Sequence, residues 1–334
     1  MNMWLKSLAL ILMLLCSSFI YWRTIGIHNR HYLQATSMII TDSQPIMLET
    51  PKESGIFFIE TTDRMFPPAL VTCSVESAAR TYPNKTVYFL MKGLTNEISI
   101  NLNSNYTALF VLASMNNVKI LPLSFEELFK NTPLSSWYQK IDPSKQIYWT
   151  HHVSDACRAA LVWKYGGIYM DTDVLSLRPV PVEDFLVAEH PQSCSSAVLG
   201  FRRHHPFLWD CMVDYVTNYN GDIWGQQGPM LYTRMAAKLC KMPDFANVGD
   251  AMCQNFSYLQ PKRFYPILYP SWKRYYEKWD NTESVFNLSY GLHFWNYMNR
   301  EHKEVTAGSN TVAEHLFKNN CPVTYYSLVQ RNPS

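Results

Sequence analysis

Short apolar runs alternate with helix-like segments along most of the chain after residue 55. Strands are predicted at Ile56–Ile59, Val87–Met91 and Val118–Leu121, because each is a compact run rich in β-branched, aromatic or other apolar residues. Helices are predicted between the strands, at Pro68–Arg80 and at Val153–Tyr165. This alternation predicts an α/β fold with a mostly parallel, Rossmann-like sheet and helices on both faces. Ligands of such sheets bind outside the carboxyl ends of the strands.

One stretch, Trp163–Leu177, joins a helix end, a strand and two acidic residues. Gly166 and Gly167 end the helical pattern, an apolar strand follows, and Asp171 and Asp173 come next. Because strand side chains alternate between faces, both carboxylates are predicted to face one site. Two adjacent oxygen donors suit Mg²⁺ or Mn²⁺, whereas a solvated acidic turn is the alternative.

The helix before this strand carries a second charged pair, Asp155 and Arg158, three residues apart. One interpretation is an ordinary ion pair within the helix, which contributes little. The other is that this face of the helix looks into the site. Arg158 would then hold a phosphate or a sugar hydroxyl, and Asp155 would orient it.

Composition indicates a globular chain with a large core. The 334 residues are 47% hydrophobic and 17% charged, enough for one large domain or two. The 29 Lys+Arg and 27 Asp+Glu leave a net charge of +2. Since no basic run stands out, the sequence gives no electrostatic reason to expect nucleic acid as a partner.

Residues 7–22 are predicted to form a membrane anchor. They contain no charge, are rich in Leu and Ile, and have Trp4, Tyr21 and Trp22 at their edges, as interfacial aromatics do. The segment is shorter than the roughly 20 residues of a typical span, which suits a thin membrane. A cleaved signal peptide is the alternative, but the bulky end Phe19–Trp22 disfavours it because cleavage sites need small residues.

The predicted anchor divides the whole chain into five parts. The predicted parts are a cytoplasmic tail at 1–6, the anchor at 7–22, a lumenal stem at 23–54, a catalytic domain at 55–322 and a C-terminal tail at 323–334. Four glycosylation acceptor patterns follow the anchor and favour a lumenal body; they lie at Asn84, Asn105, Asn255 and Asn287. Of eight cysteines, Cys16 lies in the anchor, which leaves an odd number and at least one unpaired thiol.

The run SDACRAALVWKYGGIYMDTDV, from Ser154 to Val174, resembles the SDxxR…YGGxYxDxD signature of retaining GT-A glycosyltransferases. CSVESAAR, HHPFLW, IWGQQGP, RFYPI and HFWN are similar to stretches of the vertebrate α-1,4-glycosyltransferase family. The resemblance extends from about Gly55 to Cys321. At RRHHPFLWDCM, RYYEKWD and GSNTVAEHL the chain is more similar to the members that transfer N-acetylglucosamine than to those that transfer galactose to lactosylceramide.

The resemblance implies a type II Golgi membrane enzyme with a GT-A fold that uses UDP-GlcNAc and Mn²⁺. Such an enzyme adds GlcNAc in α-1,4 linkage to terminal β-galactose, typically on mucin-type O-glycans. Two alternatives stay open, an α-1,4-galactosyltransferase that uses UDP-Gal on lactosylceramide-type glycolipids and a sugar-binding pseudoenzyme. A homo-oligomer is compatible with the sequence.

Site residues also follow from the resemblance. Asp171 and Asp173 are expected to bind the metal and the diphosphate, with His293 as a third metal ligand. Asp155 and Arg158 are expected to contact the donor sugar. Further donor-binding residues are expected at Tyr165, Gly166, Gly167 and Trp295, the two glycines by allowing close approach of the backbone.

Retention of the anomeric configuration by the family implies front-face attack, in which the departing phosphate takes the acceptor proton. A double displacement would need a nucleophile beside the anomeric carbon, for which Gln227 and Asp222 are candidates by position only. A metal-dependent hydrolase would need more clustered ligands, and adjacent histidines such as His151 and His152 rarely converge on one ion.

Two departures from the family pattern stand out. Relatives commonly carry Asn-Gly where this chain has Ser196 and Ala197, in a segment expected near the donor sugar. The change puts donor choice or activity in doubt. Cys157 stands where relatives have a small hydroxyl residue, and it is the predicted unpaired thiol, packed in the helix and unreactive.

Overall fold

The computed structural model describes residues 50–94, 106–241, 243–245, 249–278 and 286–330. The predicted cytoplasmic tail, anchor and most of the stem, together with Asn105, lie outside the described residues. None of the helices within these ranges combines the length and the apolar character that a membrane span needs.

The described strands form an eight-stranded sheet and a separate two-stranded sheet. The order in the large sheet is β3-β2-β1-β4-β7-β6-β9-β8, and β5 pairs with β10 in the small one. The strands are β1 Gly55–Glu60, β2 Val87–Met91, β3 Val118–Pro122, β4 Gly167–Met170, β5 Val174–Ser176, β6 Phe185–His190, β7 Ser193–Phe201, β8 Ala251–Cys253, β9 Phe256–Leu259 and β10 Gly291–His293.

The predicted α/β class is confirmed, and the large sheet is mostly parallel as expected: four of its seven strand pairings are parallel, and only β7 and β8 of its described strands run the opposite way. The strands β3, β2, β1 and β4 are parallel, as expected. Strand β7 is antiparallel to both β4 and β6. The reason is that β6 and β7 are joined by a turn between His190 and Ser193, and so short a connection joins only antiparallel strands. The sheet is therefore mixed.

Helices cover both faces of the large sheet, as predicted. Because strand side chains alternate, Ile56 and Phe58 belong to one core cluster and Phe57 and Ile59 to the other. The described helices are α1 Ala69–Thr81, α2 Thr107–Ala113, α3 Phe125–Phe129, α4 Leu134–Lys140, α5 Trp149–Tyr165, α6 Pro206–Thr217, α7 Pro229–Leu239 and α8 Val312–Asn320. Residues of α1, α2 and α8 pack in the first cluster, and residues of α5, α6 and α7 in the second.

The compact unit that holds the sheet continues past residue 322, the predicted end of the domain. Pro322–Thr324 is helical and leads into the π-helical turn Tyr325–Val329, whose end residues are buried in the first core cluster. The buried carboxylate of Glu76 accepts hydrogen bonds from the backbone N–H groups of Val323 and Thr324, at 3.0 and 2.7 Å. This segment is part of the domain and not a tail, since a carboxylate from α1 caps it.

Two disulfides within the described ranges close loops of very different length. Cys73 in α1 pairs with Cys321, 248 residues away, whereas Cys240 and Cys253 are 13 residues apart. The prediction for Cys157 is confirmed, because its thiol is free and buried, as are two further thiols, Cys194 and Cys211.

The long-range disulfide is expected to contribute more stability than the short one. Removing it as C73S/C321S should lower the free energy of unfolding by about 2–5 kcal/mol, since the cross-link restricts a much longer unfolded loop. The matched variant C240S/C253S should cost less. Denaturant titration of both variants checks this order, and an equal or larger loss for C240S/C253S would contradict it.

Candidate active site

The two aspartates occupy a turn between β4 and β5. The Val174 N–H donates to the Asp171 carbonyl oxygen at 3.0 Å, and the Asp171 N–H donates to the Ala197 carbonyl oxygen at 2.8 Å. The expectation that strand alternation orients both carboxylates is therefore wrong, because Asp171 and Asp173 lie beyond the strand. They still face one site, at the carboxyl end of β4, where the sheet changes from parallel to antiparallel pairing.

The small sheet brings His293 to this turn. Strand β10 pairs with β5 so that His293 lies opposite Val174. Its Nε2 is 3.4 Å from Oδ1 of Asp173. Side-chain ligand atoms of Asp171, Asp173 and His293 all lie within 4.8 Å of one another. The expected metal-binding group is thus assembled from segments more than a hundred residues apart in the sequence.

Backbone groups fix the orientation of Asp173. The N–H of Asn296 donates to its Oδ2 at 2.8 Å, and the N–H of Phe294 donates to its carbonyl oxygen at 2.9 Å. Both donors belong to the segment that follows β10. The second aspartate is therefore positioned by the C-terminal part of the chain.

Arg158 lies behind Asp171 and is bound on several sides. Its Nη1 is 3.1 Å from Oδ1 of Asp171 and donates to the Ser196 carbonyl oxygen at 2.6 Å. Its Nε is 3.3 Å from Oδ1 of Asp155, and the guanidinium carbon lies 4.6 Å from the centre of the Tyr169 ring. The structure thus shows Arg158 orienting Asp171, while its expected contact with the donor stays a prediction.

Burial controls the ionisation of these groups. Burial raises the pKa of Asp155 to about 6, although the Arg158 charge opposes the shift. Burial also raises the pKa of Asp171, with Arg158 opposing and Asp173 adding to the effect. Burial lowers the pKa of Arg158, but the neighbouring groups Asp171, Tyr169 and Asp155 together outweigh it, so the net direction is up. A divalent cation would relieve the repulsion between Asp171 and Asp173.

Tyr165, Gly166 and Gly167 lie at the opposite end of β4 from the aspartates. The strand is four residues long, so roughly 13 Å of extended chain separates them from the site. A Cβ on Gly166 would lie 2.7 Å from the Arg203 nitrogen, and one on Gly167 would clash with the Gly55 backbone. The glycines do allow close backbone approach, but to neighbouring protein segments, so the structure does not bring these three residues to the site.

Trp295 packs beside His293, whereas Gln227 is buried in a loop next to α5. The Trp295 ring centre is 4.4 Å from that of His293, and its indole N–H donates to the Ile267 carbonyl oxygen at 2.7 Å. Gln227 is fully buried, its Nε2 donates to the Tyr215 carbonyl oxygen at 2.7 Å, and among the described residues its Oε1 has no partner.

The loop that carries Gln227 packs closely against α5. A Cβ on the next residue, Gly228, would lie 2.5 Å from Oδ1 of Asp155. This close approach requires glycine. By contrast, Asp222 is exposed at the start of the loop.

Comparison with known proteins decides the family. Residues 68–192 match the description "Glycosyltransferase sugar-binding region containing DXD motif", and residues 200–328 match "Alpha 1,4-glycosyltransferase conserved region". The chain is 52% identical over 276 residues to human alpha-1,4-N-acetylglucosaminyltransferase, covering 83% of this chain and 81% of that protein. The chain belongs to the α-1,4-glycosyltransferase family.

Two further comparisons show lower sequence identity to this glycosyltransferase. Mouse lactosylceramide 4-alpha-galactosyltransferase is 38% identical over 325 residues, which covers 95% of this chain and 88% of that protein. Among solved structures, the PaToxG glycosyltransferase aligns with a TM-score of 0.43 at 16% identity, over 56% of this chain and 69% of that one.

Sequence reasoning missed three groups at the site of this α-1,4-glycosyltransferase. The Tyr169 hydroxyl donates to Oδ1 of Asp171 at 2.6 Å, and its position two residues before the aspartate was a usable signal. The Asn296 backbone N–H and the carboxyl of Glu189 had no local signal. Burial raises the pKa of Glu189, and the charge of the nearby His293 opposes this.

The donor set fits a divalent cation, with one adjustment at His293. Two carboxylates and an imidazole are ligands that Mn²⁺ accepts. In the structure the backbone N–H of Trp295 donates to Nδ1 of His293, at 3.2 Å, so a neutral ring carries its proton on Nε2. Ligation through Nε2 needs the other tautomer, and the backbone N–H of Trp295 would then lose this acceptor.

Proposed function

We propose that this glycosyltransferase moves GlcNAc from UDP-GlcNAc, with Mn²⁺ as cofactor, in α-1,4 linkage to terminal β-galactose of mucin-type O-glycans. The observation that carries the proposal is the convergence of Asp171, Asp173 and His293 at the carboxyl end of β4. The higher identity to the human N-acetylglucosaminyltransferase, 52% against 38% for the mouse galactosyltransferase, supports the choice of donor.

In this proposal Asp171, Asp173 and His293 bind the metal, and neighbouring residues keep these side chains in position. When bound, the metal supplies Lewis-acid stabilisation of the departing diphosphate. Arg158 and the Tyr169 hydroxyl keep Asp171 in place, and the Asn296 N–H keeps Asp173 in place.

The transfer exchanges one bond for another at the anomeric carbon. The bond to the diphosphate oxygen breaks, the acceptor 4-oxygen bonds on the same face, and its proton passes to the departing phosphate oxygen. No strong protein base is needed. The amide oxygen of Gln227 is the candidate nucleophile for a double displacement, since within the described part of the chain it has no hydrogen-bond partner, but an amide is a weak nucleophile and we favour front-face attack.

We also propose a type II Golgi location with the anchor at residues 7–22. Three sequon asparagines within the described residues, Asn84, Asn255 and Asn287, are exposed, as glycosylation requires. Two disulfides suit an oxidising compartment. Expression of the full chain followed by glycosidase digestion tests this, since unchanged electrophoretic mobility would contradict a lumenal body.

The donor assignment is tested by parallel assays of the full chain with Mn²⁺, a β-galactoside acceptor and either UDP-GlcNAc or UDP-Gal. We expect at least about tenfold faster transfer from UDP-GlcNAc, a difference of about 1.4 kcal/mol, and an α-linked product by proton NMR. Faster transfer from UDP-Gal would instead establish the galactosyltransferase. Retained UDP binding without transfer from either donor would establish the pseudoenzyme.

A further inference from the structure

Two exposed aromatic rings meet beside the candidate active site. The rings of Trp224 and Tyr297 stack with their centres 5.7 Å apart and an interplanar angle of 19°. Trp224 is nevertheless 45% exposed and Tyr297 43% exposed. Their chain neighbours Ile223 and Met298 are also exposed. Clustered large apolar residues on a surface beside a catalytic site are typical of a binding surface.

The loop that carries Trp224 packs against α5. The carbonyl oxygen of Ile223 lies 3.2 Å from Nε2 of His152, and the same loop ends at Gly228, against the Asp155 carboxylate. The loop therefore cannot shift without disturbing buried contacts on the helix that carries Arg158.

The segment that carries Tyr297 contacts the turn that holds Asp171 and Asp173. Tyr297 directly follows Asn296, whose N–H binds Asp173. The Arg300 guanidinium carbon lies 4.3 Å from the centre of the Tyr297 ring, and the His151 ring meets it edge-on at 5.0 Å. Arg300 and His151 therefore flank the Tyr297 ring, which makes Trp224 the better candidate for a ligand contact. The pair thus joins the segments that position Asp155 and Asp173.

We propose that Trp224, supported by Tyr297, is the binding platform for the terminal β-galactose of the acceptor, an inference that rests on the proposed function. One face of a galactopyranose presents C–H groups, and an aromatic ring packs well against such a face. The exposed guanidinium of Arg300 adds hydrogen-bond donors beside the rings for sugar hydroxyls.

This platform also accounts for selection of galactose. The 4-hydroxyl of galactose is axial and projects from the face opposite the C–H face. A galactose stacked on Trp224 therefore directs its 4-hydroxyl away from the ring, free to attack. In glucose the 4-hydroxyl is equatorial, so the same stacking would direct it sideways. The platform is thus expected to favour β-galactosides over β-glucosides.

The test is a set of variants of the full chain assayed for acceptor and donor separately. Trp224→Ala should raise the acceptor KM about tenfold, which corresponds to about 1.4 kcal/mol. The KM for UDP-GlcNAc and the slow hydrolysis of UDP-GlcNAc without acceptor should not change. Trp224→Phe should retain most of the acceptor affinity. Tyr326→Ala, which removes another exposed ring in the C-terminal turn, is the matched control and should change neither KM.

Two results would overturn the platform without touching the proposed function. One is wild-type transfer together with an unchanged acceptor KM in Trp224→Ala. The other is a parallel loss of acceptor-free hydrolysis, which would mean that the loop acts on the donor side. If the wild type transfers from neither donor, the proposed function fails. Saturation-transfer NMR with methyl β-galactoside then still tests the platform, which requires a signal in the wild type that Trp224→Ala loses.

Discussion

Asp173→Asn is expected to reduce transfer about a thousandfold while leaving the fold intact. The substitution removes one carboxylate from the group formed with Asp171 and His293, and with it the charge that holds a cation against the departing diphosphate. The amide oxygen of asparagine still accepts the Asn296 N–H, so the turn keeps its geometry. Initial rates with saturating Mn²⁺ and UDP-GlcNAc, alongside circular dichroism, measure both expectations.

Asp250→Asn provides the matched control for this prediction. The Asp250 carboxylate likewise accepts a backbone N–H, that of Gln260 at 3.0 Å, but it lies next to β8 at the edge of the sheet. Its replacement should leave the rate within about twofold. A similar rate for Asp173→Asn and Asp250→Asn would remove Asp173 from the chemistry.

Arg158→Met is expected to lower the free energy of unfolding by about 3–5 kcal/mol and to abolish transfer as well. The variant leaves the carboxylates of Asp155 and Asp171 buried without their common partner, and it leaves the Ser196 carbonyl oxygen without its donor. Denaturant titration near pH 7, above the pKa of about 6 to which burial raises the Asp155 carboxyl, measures the loss.

A surface ion pair supplies the comparison. Lys145 lies 3.2 Å from Oδ2 of Asp142, and the two side chains are 78% and 46% exposed. Solvent screens such a pair, so Lys145→Met should cost only about 0–1 kcal/mol. The double variant Arg158→Met/Asp155→Asn should recover part of the loss, because one of the unpaired charges is gone. If Arg158→Met costs no more than Lys145→Met, the guanidinium does not hold the site together.

The spacing of apolar residues within short stretches of sequence predicted those parts of the fold that depend on neighbouring residues. The strands β1, β2 and β3, the helix α5 and the placement of Asp171 and Asp173 just after a buried strand all follow from the spacing of apolar residues. Each of these features depends on neighbours within a few residues, which is the range over which side-chain periodicity carries information.

Features that depend on distant pairing were beyond that range. No local pattern identifies which distant segments pair with each other. This applies to the antiparallel pairing of β7 with β4, to the pairing of β10 with β5 and to the packing of Pro322–Thr324 against Glu76. The glycines were only partly interpretable for the same reason. Gly166 and Gly167 indicate that another segment comes close to the backbone, but the sequence does not say which segment. His293 came from family resemblance alone, and the Asn296 N–H at Asp173 depends on the same long-range pairing.

The central claim is that Asp171, Asp173 and His293 together hold one divalent cation at the end of β4. Titration of the full chain with Mn²⁺ in the presence of UDP, followed by electron paramagnetic resonance, tests it most directly. The account predicts one bound ion per chain in the wild type and in Asp250→Asn, with binding lost in Asp173→Asn and weakened in His293→Ala. One ion bound with unchanged affinity in both site variants would contradict it.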